Sequence, residues 1–292
     1  MRFLLLVASL LSGCAGPDLL NTLARNPDRG TAVHRDLTYG EDPRQAFDLY
    51  VPSRPGPYPI LMFVHGGSWA SGDKDAYAFA GKRFAAEGYL TAVPSYRLAP
   101  EHAYPGFMED MAAALAVTLK AAPQHGGDPE RLFLMGHSAG AYNVVQLALA
   151  PEFLEAEGLT PAVIDAVAGL SGPYDFLPLD PGAAQDAFGS AEDTAATQPV
   201  NRVQAGAPPM ILVTGTADET VRPRNTDALA ERLRAVGTEV EVVRYEGADH
   251  AEPVIAVAFP KRLPVVADTL GFFERHGAET GRTGTGRADA GR

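Results

Sequence analysis

The 292-residue chain has little cysteine, little tryptophan and a deficit of positive charge. It contains one cysteine and one tryptophan, and 36 acidic residues outnumber 24 basic ones, which gives a formal net charge of −12. One cysteine excludes an internal disulfide and a cysteine-rich metal site. The negative charge opposes binding to phosphate backbones and anionic lipid headgroups. We therefore expect no nucleic-acid partner.

The sequence also lacks a hydrophobic run long enough to cross a bilayer. The longest apolar stretch near the start, residues 3–11, has nine residues, whereas a membrane-spanning helix needs roughly 20. One basic residue, Arg2, precedes this stretch and small residues follow it. That arrangement is typical of a secretory signal peptide, so we expect residues 1–13 to be removed on export.

The single cysteine, Cys14, stands where such a signal would be cleaved. The tetrapeptide Leu11-Ser12-Gly13-Cys14 resembles the bacterial lipobox, in which cleavage leaves the cysteine as the acylated first residue. The alternative is a plain secretory signal that happens to contain a cysteine. Acyl chains would anchor the protein firmly, since each buried methylene adds about 0.8 kcal/mol of membrane affinity. Because Ala15 rather than aspartate follows, the resemblance implies outer-membrane attachment facing the periplasm.

Residues 31–276 have the pattern of one folded domain. Short apolar and β-branched runs alternate with longer stretches of helical period, which indicates an α/β fold with a mostly parallel sheet covered by helices. The predicted strands are 47–51, 60–64, 90–94, 131–135, 163–170, 210–214 and 239–245. The predicted helices are 75–87, 106–122, 139–150 and 224–236.

Three segments depart from this alternation. Residues 14–30 are predicted to be a tether, and residues 277–292, rich in Gly, Arg and Thr, a disordered tail with too little apolar surface to fold. Residues 173–208 are rich in Pro, Ala, Gly and Asp. We expect them to form a small cap-like excursion over the carboxyl edge of the sheet.

The clearest chemical motif is Gly136-His137-Ser138-Ala139-Gly140, which lies directly between a predicted strand and a predicted helix. A serine hydroxyl is a weak nucleophile, and it needs a neighbouring base and an exposed position. In a G-x-S-x-G elbow the turn from strand to helix is so sharp that the flanking positions tolerate little side chain. The start of the helix also favours an oxyanion. This context favours a nucleophilic Ser138 over a structural glycine turn.

An acid and a histidine should follow such a serine in that order, each in a loop after a late strand. Asp218 follows the predicted strand 210–214, and His250 follows the predicted strand that ends at residue 245. These positions lie over the carboxyl ends of the strands, where Ser138 also points. Asp218 and His250 are therefore the predicted acid and base.

Other carboxylates and histidines compete for these roles. Glu219 would point elsewhere from the same turn, and Asp175 belongs to the excursion. Asp249 is adjacent in sequence to His250, which rarely allows a carboxylate to reach its neighbour's imidazole. His34, His102, His125 and His276 lack a position after a strand, so a surface or packed position is expected for them. His65 and His137 lie in glycine motifs, where the family resemblance described below implies that they pack the loops.

A second glycine motif, His65-Gly66-Gly67-Ser68-Trp69, follows the predicted strand 60–64. Paired glycines leave backbone amides unobstructed, as an oxyanion hole requires, although a plain glycine turn has the same appearance. With the elbow, this motif resembles the α/β-hydrolase carboxylesterases of the hormone-sensitive-lipase-like group and their feruloyl-esterase-like and kynurenine-formamidase-like relatives. Two further segments resemble the same group, Tyr96-Arg97-Leu98-Ala99-Pro100-Glu101 and Ser171-Gly172-Pro173-Tyr174-Asp175.

The resemblance covers roughly residues 47–273. It implies an α/β-hydrolase fold, with a mostly parallel central sheet and helices on both faces. It also implies a serine carboxylesterase, in which His250 removes the proton of Ser138 and Asp218 orients the imidazole. Such a reaction needs no metal and no organic cofactor, and the sequence contains no H-E-x-x-H, P-loop or G-x-G-x-x-G motif.

By resemblance, the oxyanion donors are the backbone amides of Gly67, Ser68 and Ala139. Many members have a third glycine where this chain has Ser68, and serine keeps the amide donor while it adds a side chain near the acyl pocket. The candidate pocket walls are Trp69, Tyr77, Tyr142, Tyr174 and Phe176, and for each of these rings core packing is the alternative.

The expected substrate is a small-molecule carboxylic ester with a short acyl chain. An aryl formamide is the alternative, because the segment from Ser171 to Asp175 resembles the formamidase-like branch. A non-catalytic binding protein of the same fold is an alternative of another class, but such proteins usually lack a triad residue. The sequence leaves the oligomeric state open.

Overall fold

The computed structural model describes residues 20–22, 24 and 30–277. The predicted signal segment, Cys14 and the predicted tail beyond residue 277 lie outside the described residues. Among the helices in the described part of the chain, none has the length and hydropathy needed to cross a membrane.

A single eight-stranded sheet forms the centre of the described residues. Its strands are β1 (Ala32–Thr38), β2 (Ala46–Val51), β3 (Tyr58–Val64), β4 (Leu90–Pro94), β5 (Gly127–His137), β6 (Ala166–Leu170), β7 (Met210–Gly215) and β8 (Val240–Tyr245). Their order is β1-β2-β4-β3-β5-β6-β7-β8. β2 is antiparallel to β1 and β4, whereas every pairing from β4 to β8 is parallel. The predicted mostly parallel sheet is confirmed.

One strand, β1, was not predicted, and the bounds of β5 and β6 differ from their predictions by three residues or more. β5 begins at Gly127, four residues before its predicted start at 131. β1 was not predicted, because the charged segment from His34 to Asp36 interrupts its apolar alternation at the exposed edge of the sheet. The strand predicted at 163–170 begins only at Ala166, since Pro161–Val163 forms a 3₁₀ turn.

Helices cover both faces of the sheet, as predicted. They are α1 (Ala78–Glu87), α2 (Gly106–Ala121), α3 (Ala139–Leu149), α4 (Pro151–Ala156), α5 (Ala183–Phe188), α6 (Arg224–Ala235), α7 (Glu252–Ala258) and α8 (Val265–Gly277). Side chains alternate between the faces of a strand, so Ile60 and Met62 of β3 pack in one core cluster with α2, α3 and α6. Leu61 and Phe63 pack in the other with α1, α7 and α8.

The excursion at residues 173–208 packs against the domain. It contains α5 and the 3₁₀ turn Pro199–Asn201, and Phe188 at the end of α5 is fully buried. The buried Asn225 of α6 accepts hydrogen bonds from the backbone N–H groups of Tyr174 (3.0 Å) and Asp175 (2.9 Å). This side chain therefore fixes the start of the excursion beside the sheet edge.

Part of the predicted tether also packs on the domain. Leu20 is only 2% exposed. The Asn21 side chain donates to the carbonyl oxygens of Asp75 (2.6 Å) and Ala76 (3.0 Å) and accepts from the Phe79 N–H (2.7 Å). The packed part of the chain therefore begins before the predicted boundary at residue 31. The apolar residues of this short stretch, Leu19, Leu20, Leu23 and Ala24, are too few for a periodic signal that could have revealed this contact.

A buried ionic cluster joins β1, β2 and the loop before α1. Asp48 of β2 is 0% exposed, and its carboxylate lies 3.0 Å from both Lys74 Nζ and an Arg35 guanidinium nitrogen. Lys74 Nζ also lies 2.7 Å from Asp36. Burial alone would lower the pKa of Lys74, but the carboxylates of Asp36, Asp48 and Asp75 raise it above its usual value. The charge of Lys74 therefore depends on its partners.

Removing the carboxylate of Asp48 should destabilise the fold. Asp48→Ala leaves the buried Lys74 charge without its buried partner, and breaking such a pair costs about 3–5 kcal/mol. Asp36→Asn is the matched control, because that side chain is 72% exposed, exposed pairs contribute about 0–1 kcal/mol, and asparagine tolerates the left-handed φ of 55° at this position. Urea unfolding of both variants measures the difference. Equal losses would contradict this account of the cluster.

Candidate active site

Ser138 occupies the turn between β5 and α3 as a single residue. β5 ends at His137 and α3 begins at Ala139. The backbone of Ser138 has φ 55° and ψ −120°, a conformation that residues with a side chain rarely adopt. Its N–H donates to the Leu170 carbonyl of β6 at 2.8 Å, and its carbonyl accepts from Tyr142 N–H at 3.1 Å. These bonds hold a strained conformation of the kind found at functional sites.

The two glycines of the elbow permit a close approach between α3 and the end of β3. A Cβ atom at Gly140 would lie 2.1 Å from the carbonyl oxygen of Val64 and 2.5 Å from that of His65. A Cβ atom at Gly136 would lie 2.2 Å from the carbonyl oxygen of Gly140. These obstacles are backbone atoms, so no side-chain rotation could relieve them. The spacing G-x-S-x-G follows directly from this packing.

The structure brings the three predicted residues of the site together. His250 Nε2 lies 2.9 Å from Ser138 Oγ, and His250 Nδ1 lies 2.8 Å from Asp218 Oδ2. An ionised carboxylate can only accept. His250 therefore donates its Nδ1–H to Asp218, and its Nε2 lone pair accepts the Ser138 hydroxyl. The Asp218 side chain is 0% exposed and that of His250 is 19% exposed, so the imidazole lies at the surface of the site.

The loops after β7 and β8 are bonded to each other. Asp218 Oδ1 accepts the backbone N–H groups of Thr220 (3.0 Å) and Val221 (2.8 Å), which fixes the carboxylate. The N–H of Ala217 donates to the Ala248 carbonyl at 3.0 Å. The distance from acid to base is therefore set by backbone hydrogen bonds between neighbouring loops.

The rival carboxylates have other positions. Asp249 Oδ1 accepts the N–H groups of Ala251 (2.9 Å) and Glu252 (3.0 Å), and so fixes the turn that leads into α7. Glu219 is exposed. Asp175 lies in the excursion, beside Asn225. His250 Nδ1 is bonded to Asp218, as the sequence predicts.

The three predicted oxyanion donors lie in two adjoining segments. Gly67 has φ +124°, and a Cβ atom there would lie 2.1 Å from the Ser71 carbonyl oxygen. Ser68 and Trp69 follow in left-handed conformations, with φ 53° and 58°. Ala139 is the first residue of α3, so its N–H has no acceptor within the helix.

The glycine motif lies directly against the elbow. A Cβ atom at Gly66 would lie 2.9 Å from the His137 carbonyl oxygen and 3.2 Å from Ser138 Cβ. His65 is fully buried, stacks on Tyr96 at 4.3 Å and donates its Nδ1–H to the Gly66 carbonyl at 2.7 Å. Burial lowers the pKa of His65 to about 4, so the ring is neutral. This agrees with the predicted packing role.

Three of the predicted pocket walls form one aromatic cluster. The Trp69 ring lies 5.2 Å from Tyr142 and 6.0 Å from Phe176, measured between centroids. Phe188 of α5 packs edge-on against Trp69 at 4.7 Å. Trp69 Nε1–H donates to the buried Asn143 Oδ1 at 3.0 Å, which fixes the indole. Phe188 was missed, because a short helix in a Pro- and Gly-rich stretch has little periodic signal.

The other two predicted walls have different surroundings. Tyr174 is fully buried and packs against Gly169 and Gly172, where a Cβ atom would meet its ring or hydroxyl. The Tyr77 hydroxyl lies 3.5 Å from Nδ1 of His137. Both tyrosines are therefore part of the packing around the site.

His137 has a contact that sequence reasoning missed. Its Nε2 lies 3.1 Å from the backbone carbonyl of His250. The sequence predicts that His137 packs in its loop, and nothing in the pattern of residues indicates a bond to a residue more than a hundred positions away.

No cluster of three or more His, Cys, Asp or Glu side chains that could hold a metal ion occurs among residues 30–277 and the few described residues before them.

Comparison with known proteins gives a family match and related esterases. The profile of the BD-FAE family matches residues 47–233. Isoprenylcysteine alpha-carbonyl methylesterase ICME of Arabidopsis thaliana is 30% identical over 242 residues, which cover 75% of this chain and 57% of that protein. Esterase LipC of Mycobacterium tuberculosis is 27% identical over 284 residues, covering 82% of this chain and 68% of that protein. The chain thus spans little more than half the length of the plant relative.

A solved structure shows the same architecture. The crystal structure of Esterase B from Lactobacillus Rhamnosis aligns with a TM-score of 0.81 at 21% identity, over 93% of each chain. The two proteins share the α/β-hydrolase fold, as the sequence predicts.

The close packing at the elbow predicts opposite results for two glycine substitutions. Gly140→Ala forces a Cβ atom onto the backbone of β3, and overpacking of this kind costs about 1–3 kcal/mol. Gly271→Ala in α8 is the matched control, since nothing lies within 4 Å of its Cβ position, and alanine favours a helix by up to about 1 kcal/mol. Thermal unfolding should show a loss for Gly140→Ala alone. A neutral Gly140→Ala would refute the steric explanation.

Proposed function

The chain belongs to the BD-FAE family, and from that premise we propose that it is a serine hydrolase that cleaves carboxylic esters through an acyl-enzyme on Ser138. The observation that carries this proposal is the hydrogen-bonded line from Asp218 through His250 to Ser138, with distances of 2.8 and 2.9 Å. A serine hydroxyl bonded to an imidazole, which is itself bonded to a buried carboxylate, is the arrangement that activates a serine nucleophile.

The proposed reaction has two steps. Ser138 Oγ attacks the acyl carbonyl while His250 Nε2 takes the hydroxyl proton, and Asp218 stabilises the imidazolium that forms. His250 then gives this proton to the departing alcohol, which leaves the acyl group on Ser138. A water molecule next transfers a proton to His250 and attacks the acyl-enzyme. The carboxylic acid departs, and the proton returns to Ser138.

The backbone amides of Gly67, Ser68 and Ala139 are proposed to stabilise the oxyanion. Removal of one such donor costs about 3–4 kcal/mol of transition-state stabilisation where it has been measured. Two observations support this assignment. The first is that the glycine motif packs against the elbow at Gly66. The second is that the start of α3 carries the partial positive charge of the helix dipole, which favours the oxyanion that forms on the substrate.

The aromatic cluster supports a short acyl chain. Trp69 follows Ser68 directly in the chain, and the Tyr142 backbone is bonded to Ser138 one helical turn away. Trp69, Tyr142 and Phe188 are buried and pack edge to face, so rings fill the space beside the elbow. The relatives are named as a methylesterase and an esterase, which supports an ester as the bond that is cleaved.

Substitution of Ser138 should abolish hydrolysis. Ser138→Ala removes the nucleophile, and we expect kcat for p-nitrophenyl acetate to fall by a factor of at least about 10⁴. Ser190→Ala, an exposed position in the excursion, is the matched control and should keep full activity. A fluorophosphonate probe should label the parent protein and the control but not Ser138→Ala. Full activity of Ser138→Ala would overturn the assignment.

The same protein should be assayed with p-nitrophenyl esters of graded acyl length and with an aryl formamide. Hydrolysis that declines beyond butyrate supports the short acyl pocket. Faster turnover of the formamide would favour the formamidase-like alternative. Absence of both turnover and probe labelling in the parent protein would favour a non-catalytic binding protein.

We also propose that the chain is exported and anchored by acylated Cys14, in the outer membrane facing the periplasm. The support is the lipobox-like tetrapeptide that ends at Cys14. In a Gram-negative host, Cys14→Ser should release soluble protein, whereas the control Ala15→Ser should stay in the membrane fraction. Immunoblots of the two fractions measure this. A Cys14→Ser protein that stays in the membrane would exclude the anchor.

A further inference from the structure

The ring of His137 connects the nucleophile elbow to the loop that carries His250. Nε2 of His137 lies 3.1 Å from the His250 backbone carbonyl, and the two rings are 5.1 Å apart between centroids. A carbonyl oxygen can only accept a hydrogen bond. Nε2 of His137 must therefore carry a proton and donate it to this bond.

The ring of His137 is neutral, so it has one N–H to donate. Burial of the side chain, followed by the neighbouring His250, lowers the pKa of His137 to about 3. With the proton on Nε2, Nδ1 has a free lone pair and acts as an acceptor. The tautomer follows from the contact with the His250 carbonyl alone.

Tyr77 supplies the donor on the other side of the ring. Its buried hydroxyl lies 3.5 Å from His137 Nδ1. Burial raises the pKa of Tyr77 to about 12, partly offset by the backbone amide of Gly66, so the hydroxyl keeps its proton. The backbone of Gly66 also packs closely against the His137 ring, because a Cβ atom at Gly66 would lie 3.2 Å from His137 Nδ1. Tyr77, His137 and the His250 carbonyl form one directed chain of donors and acceptors.

We propose that His137 is a positioning residue for the reaction, whose Nε2–H holds the His250 backbone so that the imidazole reaches both Ser138 Oγ and Asp218 Oδ2. The inference rests on the proposed function, because it assigns a role within the same site. The His250 side chain is bonded to Asp218 and Ser138, and the bond from His137 fixes its main chain directly to the elbow. Serine and base are thus held to one another through the backbone as well as through their side chains.

This role predicts an effect on turnover and not on substrate binding. The buried ring of His137 lies 5.1 Å from the His250 imidazole between centroids and contacts the backbone carbonyl of His250. If this bond is lost, the imidazole can move away from Ser138, and a displacement of about 1 Å at a reacting group can cost about 10²-fold in rate. The pocket beside Trp69 stays intact, so KM should change little.

Two substitutions separate the hydrogen bond from the volume of the ring. His137→Leu fills the space but removes the donor, and His137→Gln keeps an N–H near the position of Nε2. With p-nitrophenyl acetate we expect kcat of His137→Leu to fall by about 10- to 100-fold, with KM within twofold of the parent value. His137→Gln should recover most of kcat. Thermal unfolding of both variants checks that they fold.

Tyr77→Phe is a third variant, which leaves the His137 ring in place and removes the donor to Nδ1 together with the hydroxyl contact of the Gly66 amide. A fall in kcat of a few-fold at unchanged KM is expected. If His137→Leu does not fold, this variant and His137→Gln decide the question, and unchanged kcat in Tyr77→Phe together with loss of kcat in His137→Gln would overturn the proposal.

Other results would also overturn it. Equal loss of kcat in His137→Leu and His137→Gln would show that only the shape of the ring matters, and a rise in KM at constant kcat would place the effect in the pocket. A parent protein without esterase activity or fluorophosphonate labelling would instead defeat the proposed function. The two failures are therefore distinguishable.

Discussion

The site depends on the close approach of α3 to the end of β3. Gly140 lies so near the carbonyl oxygens of Val64 and His65 that a single methyl group would not fit. This contact turns the chain sharply at Ser138 and directs the hydroxyl outward. It also sets the glycine motif beside the nucleophile, because that motif is the continuation of β3 and β3 is paired with β5. The nucleophile and the proposed oxyanion donors are thus placed by one packing constraint.

The parallel order of the sheet supplies the rest of the arrangement. Ser138, Asp218 and His250 follow β5, β7 and β8, whose carboxyl ends share one edge. β6 lies between β5 and β7, and its last residue, Leu170, accepts the Ser138 N–H. Farther out, the bonds of Lys74 to Asp48 connect the loop after the glycine motif to the antiparallel strand β2. The reactive groups project from loops, and rigid strands fix where those loops begin.

Much of this arrangement is predictable from sequence because it is local. The elbow has its own glycine spacing, and Asp218 and His250 each follow an apolar strand whose end can be located. The features that were missed depend on tertiary contacts. Leu20 and Asn21 pack on α1, but the stretch around them is too short to show a periodic apolar pattern. β1 is an edge strand whose charged residues interrupt the apolar alternation. Tyr77 was expected in the pocket wall, since sequence shows that an aromatic ring is near the site but not which way its hydroxyl points.

Two neutral, buried histidines beside Ser138 make the stability of the fold depend on pH. The pKa values of His65 and His137 are lowered, chiefly by burial, to about 4 and about 3 from an ordinary value of 6.5. Well above pH 6.5 both histidines are neutral in the folded and in the unfolded chain, so their titration takes nothing from the free energy of unfolding there. As the pH falls below that value, the two histidines bind protons in the unfolded chain but stay neutral in the folded chain, so the free energy of unfolding decreases. The packing that assembles the elbow thereby makes it acid-labile, with up to two protons bound on unfolding.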